Sequence, residues 1–193
     1  MKKFELTAEF VTNVFGKKLF RIKALVAFGN VEKGELGGFI EKEENLSNNG
    51  SAWVSGNALV YGNARVYGNA RVSGDAWVSG DAQVSGNAQV SGNALVYGNA
   101  RVYGNAQVSG DAQVSGNADY AVVAGFGRYF RTTTFFRCKD KILRVQCGCF
   151  YGDLAQFREI VKKTHGDSKY AKEYLAIADL MELHFSDECG GEK

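Results

Sequence analysis

From Ala52 to Ala118 the chain repeats a six-residue unit, A-x-V-x-G-[N/D], in which valine returns at every sixth position from Val54 to Val114. Alanine stands two residues before each valine. In a strand, side chains two apart share a face, so each Ala–Val pair points to one side and the flanking residues to the other. Each unit closes on Gly-Asn or Gly-Asp, and both residue types tolerate positive φ, which makes every boundary a turn. A strand this short, with a turn every six residues, cannot close hairpins on itself. It predicts a parallel solenoid whose coils hydrogen-bond to one another while the small inward residues stack in a column. The valines never slip, which excludes a five-residue solenoid.

The register extends backward. Leu36, Ile40 and Leu46 fall on inward positions, so "GELGGFIEKEENLSNNGSAWV" reads as a degenerate first coil. Upstream, "KKFELTAEFVT" and "KKLFRIKALVAF" alternate apolar and polar residues around "NVFGKK" and predict a β-hairpin that caps the open end. Past Asp119 the hexads stop. "RTTTFFRC", the turn "KDK" and "ILRVQCGCF" predict a hairpin, with a third strand at "YAVVAGF". Asp153 is placed to cap a helix through "LAQFREIVKKTHG", which Gly166 stops. Asp167 or Ser168 opens a second helix, "KYAKEYLAIADLMELHF", with Leu175, Ala178, Leu180 and Leu183 broadly at helical spacing; Cys189 onward reads as a polar tail. The expected domains are a hairpin cap (1–35), a repeat solenoid (36–119) and a small α+β module (120–193).

The eleven consecutive hexads resemble the hexapeptide-repeat family, over Leu36 to Asp119. That resemblance implies a mainly β fold, a left-handed parallel β-helix with three hexads, 18 residues, per triangular coil. A second resemblance concerns origin. "KGELGGFIEKEENLS" leading into "GNARV" hexads is similar to hexapeptide-repeat proteins of bacteriophages and prophages, whose relatives in bacterial genomes are labelled acyltransferases. The tail "TTTFFRCKDKILRVQCGCFYGDLAQFREIVKKTHGDSKYAKEYLAIADLMEL" is similar to a module recurring in uncharacterised phage proteins. Both resemblances speak to membership and neither to activity.

With 18 residues per coil, outward residues 18 apart stack about 4.8 Å from one another. The first face then carries Trp53, Arg71, Gln89 and Gln107 beside Ser55, Ser73, Ser91 and Ser109. The second carries Leu59, Trp77, Leu95 and Gln113 beside Tyr61, Ser79, Tyr97 and Ser115. The third carries Arg65, Gln83, Arg101 and Asp119 beside Tyr67, Ser85 and Tyr103. Turn aspartates never stack on each other: Asp75 lies between Asn57 and Asn93, and Asp81 between Asn63 and Asn99. "NALVYGNARVYGNA" occurs at 57–70 and again at 93–106, two coils apart, and so predicts two matched surface sites on one rod.

Composition narrows the chemistry. Lys and Arg total 23 against 21 Asp and Glu, so neither a strongly basic nucleic-acid footprint nor an acidic DNA-mimic surface is expected, and nucleic acid would bind only through a local patch; no apolar segment calls for a membrane partner. No apolar run reads as a signal or a membrane span, and four cysteines then read as reduced thiols of a cytoplasmic protein, here in a bacterial host cell. Family acyltransferases use a histidine base near the coils, and zinc-dependent carbonic anhydrases of the fold need three histidines. This chain has only His165 and His184, both beyond the solenoid, so no catalytic residue is assigned and no enzyme activity of those kinds is expected. Cys138, Cys147 and Cys149 are the alternative metal ligands. Cys147 and Cys149 fall on one side of a strand in "CGC" without a second spaced pair, so no metal and no cofactor is expected.

Two faces remain as candidates. Arg65, Tyr67, Arg101 and Tyr103 pair a charge donor with an aromatic plate, which suits a nucleotide-like or phosphorylated ligand. Leu59, Tyr61, Trp77, Leu95 and Tyr97 make an apolar face for another subunit or a partner protein. The expected function is a non-catalytic, oligomeric binding scaffold of phage type, a trimer by the family's habit. It would counter host defence by binding an immune protein or sequestering a nucleotide signal. The rivals are an acyltransferase-like enzyme using His165 across a subunit boundary, and a purely structural oligomer.

Overall fold

A computed structural model describes residues 2–186; the polar tail from Cys189 lies outside the described residues. The repeat folds as its periodicity requires. Every alanine from Ala52 to Ala112 and every valine from Val54 to Val114 is buried, and together they make the core column. Each buried valine contributes about 1.5–3 kcal/mol relative to exposure. The turn glycines from Gly50 to Gly110 take φ between +61° and +74°, which a side chain adopts only with strain.

Eleven two-residue strands, from β4 (Trp53–Val54) to β14 (Gln113–Val114), pair in parallel with strands one coil away. Trp53 pairs with Arg71, Leu59 with Trp77 and Arg65 with Gln83, so the 18-residue coil and its three faces are as expected. Corner side chains add a second ladder. Asn57 donates to Asp75 at 3.1 Å, Asn63 to Asp81 at 3.0 Å, Asn69 to Asn87 and Asn87 to Asn105 at 3.1 Å, and Asn93 to Asp111 at 3.1 Å. An aspartate can accept here but cannot donate onward, which gives the separation of the turn aspartates a hydrogen-bonding reason.

The N-terminal hairpin is present as β1 (Phe4–Thr12) and β2 (Lys18–Ala24). It does more than sit over the end. β2 pairs with β3 (Leu36–Ile40), and β3 pairs in parallel with Leu59–Val60, so the hairpin extends the second face into a seven-stranded sheet. Lys3 closes the end of the core column. Its ammonium donates to the Ala52 carbonyl at 2.7 Å and lies 4.8 Å from the centre of the Phe28 ring. Burial pulls the Lys3 pKa down to about 8.

Three expected positions in this region differ. Ile40 and Leu46 are buried, but Leu36 is 54% exposed, because β3 begins beyond the coil's edge at a register shift against β2. Trp53, expected on the outer surface, is buried edge-on against Phe28 with ring centres 5.4 Å apart. Asp119 does not extend the third face. It lies in the 3₁₀ turn Asn117–Asp119 and accepts from the Ser115 amide (2.7 Å), the Ser115 hydroxyl (2.6 Å) and the Gly116 amide (3.0 Å). Burial alone would raise its pKa, but these donors outweigh it and hold the carboxylate below its usual range.

The C-terminal module is a four-stranded antiparallel sheet: β15 (Tyr120–Phe126), β16 (Arg131–Arg137), β17 (Leu143–Cys147) and β18 (Phe150–Asp153). β18 escapes sequence reading because "FYGD" is short and contains a glycine. Alternating residues of β16 face opposite ways. Phe136 joins the solenoid core, while Phe135 packs with α1 (Leu154–His165) and α2 (Lys169–Phe185). The sheet therefore seals the last coil, with the Gln107 amide donating to Thr134 Oγ1 at 3.0 Å. Asp153 caps α1, Gly166 ends it at φ +55°, and Ser168 caps α2. The buried stripe of α2 is Ala171, Tyr174, Ile177, Ala178, Met181 and Phe185; Leu180 and Leu183, expected inside, are exposed. Their spacing is helical, but Ile177 and Met181 occupy the side that meets the sheet. No helix among the described residues is long and apolar enough to cross a membrane.

Candidate functional site

The third face brings Arg65 and Tyr67 to one wall of a cavity of about 560 Å³. The rung Arg65–Val66 projects the guanidinium outward while Val66 stays in the core. The Tyr67 hydroxyl donates to Gln83 Oε1 at 3.2 Å, which ties the ring to the next coil. The opposite wall comes from the degenerate first coil: Glu43, Glu44, Ser47 and Asn48 around the 3₁₀ turn Glu43–Asn45. Buried Asn45 anchors that turn by donating to the Gly62 and Ala64 carbonyls at 3.1 and 2.9 Å. Lys2 neutralises Glu43 at 2.6 Å. Arg65 and Glu44 have no ion-pair partner among the described residues, so the cavity presents one cation and one anion to whatever enters.

Glu43, Glu44, Ser47, Asn48 and Gln83 were not singled out from sequence. The signal that could have found them is the 18-residue step from Ser47 to Arg65, which sets the irregular coil beside the regular one.

Arg101 and Tyr103 do not share this cavity. Tyr103 is 63% exposed and meets Tyr120 edge-on at 6.5 Å; these two line a separate cavity of about 190 Å³ with Asn117, Ala121 and Val122. The Tyr120 hydroxyl donates to the Arg101 carbonyl, and burial, then the neighbouring Tyr103, pushes its pKa up to about 12.

The apolar second-face residues also divide. Tyr61 is buried with Leu19 and Phe39, and Leu59 packs against them, all on the outer side of the sheet that the hairpin extends. Trp77 and Leu95 are half-buried and Tyr97 is 39% exposed. The five residues line one sheet, but two are already engaged within the chain.

His165 ends α1 against Tyr174 and Tyr170, with ring centres 5.8 and 6.3 Å away, and lines a second cavity of about 200 Å³ in the C-terminal module. His184 is exposed beside Phe185. The "CGC" stretch is not one strand: Cys147 ends β17 and pairs with Phe150, and Gly148 and Cys149 form the turn between them. Cys138 is buried on the solenoid side, and burial raises its pKa.

Residues 52–66, 64–80, 82–96, 88–104 and 96–110 match the YdcK beta solenoid repeat. The chain is a β-solenoid repeat protein. The matches stay inside the regular coils and leave both caps, and the first-coil wall of the larger cavity, unmatched. No curated protein matches the chain.

Proposed function

We propose that the protein is a non-catalytic binding scaffold of phage or prophage type, and that the Arg65–Tyr67 cavity takes a nucleotide-type ligand. The observation that carries this reading is a guanidinium with no ion-pair partner among the described residues, beside a tyrosine tied to the next coil, in a cavity of about 560 Å³. A phosphate would meet Arg65 through charge-assisted hydrogen bonds, and a base would lie against Tyr67. Glu44, Ser47 and Asn48 face the sugar hydroxyls or an exocyclic amine. The free Glu44 carboxylate disfavours a long polyphosphate, so the expected ligand carries one or two phosphates. In a phage setting, such a scaffold would sequester a nucleotide signal of host immunity. The half-exposed Trp77, Leu95 and Tyr97 would meet further copies of the chain, a trimer in this reading.

A thermal-shift and calorimetric screen of cyclic and linear mono- and dinucleotides tests the ligand. A stabilising nucleotide should lose at least tenfold in affinity in Arg65→Ala and little in Arg101→Ala. Equal losses in both variants, or no stabilisation by any nucleotide, would sink the reading. Light scattering tests assembly: a monomer at micromolar concentration removes the self-interface.

A further inference from the structure

The 200 Å³ cavity of the C-terminal module collects groups that the solenoid reading leaves unused. Cys147 and Cys149 both line it, separated only by Gly148 at φ +60°. Glycine at the first turn position, followed by a residue at negative φ, is the two-residue hairpin loop with the tightest reversal. That reversal leaves both cysteines in the lining of the same cavity. Cys147 is half-buried, and its sulfur accepts a hydrogen bond from Thr133 Oγ1 at 3.2 Å; Cys149 is exposed. Arg128 and Arg131 complete the rim with guanidiniums 5.5 and 5.1 Å from the centre of the Tyr129 ring. Neither arginine has a carboxylate partner among the described residues, and the lining contains no acid. Glu173, on the helix that carries the lining residue Tyr174, is engaged by the Gly127 amide at 2.9 Å and by Lys169 at 3.5 Å.

We propose that Cys147 and Cys149 form a dithiol–disulfide couple that exchanges with small anionic disulfides, which Arg128 and Arg131 attract. The Cys149 thiolate attacks one sulfur of the incoming disulfide, forming a mixed disulfide and releasing one small thiolate. The Cys147 thiolate then attacks the Cys149 sulfur, closing a Cys147–Cys149 disulfide and releasing the second thiolate. Two protein thiols are oxidised, one small disulfide is reduced to two thiols, and the protons pass to solvent or to the released thiolates. Exposure makes Cys149 the first nucleophile, and the hydrogen-bonded Cys147 resolves. The couple is stoichiometric and independent of the ligand assigned to the solenoid.

The test uses the full reduced chain incubated with oxidised glutathione, quenched with acid, alkylated and cut with trypsin. The fragment from Val145 to Arg158 holds both thiols and should lose the mass of two hydrogens. Cys147→Ser should instead trap a glutathione adduct on Cys149. At low ionic strength oxidised glutathione should react about tenfold faster than cationic cystamine. That preference should vanish in Arg128→Gln/Arg131→Gln and persist in Arg128→Lys/Arg131→Lys. A fragment that stays reduced or carries two separate adducts overturns the couple. Equal rates for the two disulfides in the unmodified chain overturn the role of the arginines.

Discussion

Residues 57–70 and 93–106 are the same fourteen amino acids on the same two faces of one rod, yet they occupy different surroundings. Tyr67 finds Gln83 sixteen residues on, whereas the corresponding partner of Tyr103 is Asp119, which has turned away to hold Ser115 and Gly116. The Arg65 amide donates to the Ala82 carbonyl of the next coil; the Arg101 amide has no further coil and takes the Asn117 side chain instead, at 3.0 Å. Tyr61 lies under Leu19 and Phe39, while Tyr97 is 39% exposed. In a solenoid, identical residues are made different by what stacks one coil away. A duplicated surface therefore does not imply duplicated sites.

Paired substitutions break this comparison most sharply where burial differs most. Tyr61→Ala should cost about 3 kcal/mol, as large-to-small changes at buried aromatics do, and Tyr97→Ala about 1 kcal/mol or less, both read by chemical denaturation. Glycines come next. Gly68 and Gly104 have nearly the same positive φ, but a Cβ at Gly68 would sit 3.1 Å from the Gly86 nitrogen, while one at Gly104 meets nothing within 4 Å. Both alanine variants carry the left-handed strain of about 1–2 kcal/mol, and Gly68→Ala should lose about 1–2 kcal/mol more through crowding.

The corner ladder gives a smaller contrast. Asn69 accepts from Ser51 at 2.9 Å and donates to Asn87, whereas Asn105 only accepts. Asn69→Ala should therefore be less stable than Asn105→Ala by about 0.5–1 kcal/mol in the same measurement. The smallest effect is in pH. The depressed pKa of Asp119 contributes stability that is present above the ordinary aspartate range, near pH ~3.9, and lost as pH falls through it. Asp119→Asn should be less stable than the native chain at neutral pH, and the gap should close on acidification below about pH 4. A gap that widens there would reverse the assignment.

How far the sequence could be read follows from the same physics. The hexads are local and periodic, so valine spacing and Gly-Asn turns were enough for a parallel solenoid with an Ala–Val core, while the 18-residue coil, its three faces and their stacking partners came with the family resemblance. The helix caps at Asp153 and Ser168 were legible because capping is a one-turn matter. What escaped depends on contacts far along the chain. Leu180 and Leu183 share helical spacing with the buried stripe, and only the sheet's position decides which stripe is covered. The carboxylate wall opposite Arg65 belongs to a coil without hexads. Arg128 and Arg131 share a cavity with the two cysteines because β16 pairs with β17, which no short motif announces.

The ladder of corner side chains also divides the rod unevenly. Three such bonds tie the level of Asn57, Asn63 and Asn69 to that of Asp75, Asp81 and Asn87. Only the bond from Asn87 to Asn105 crosses to the next level, since Asp75 and Asp81 have nothing to donate. The backbone bonds across this seam, near Gly92, match those across the preceding one, so the two differ by their side chains alone. Under tension along its axis, the rod should part at the Gly92 seam before the one preceding it, leaving the N-terminal cap with the coils it seals.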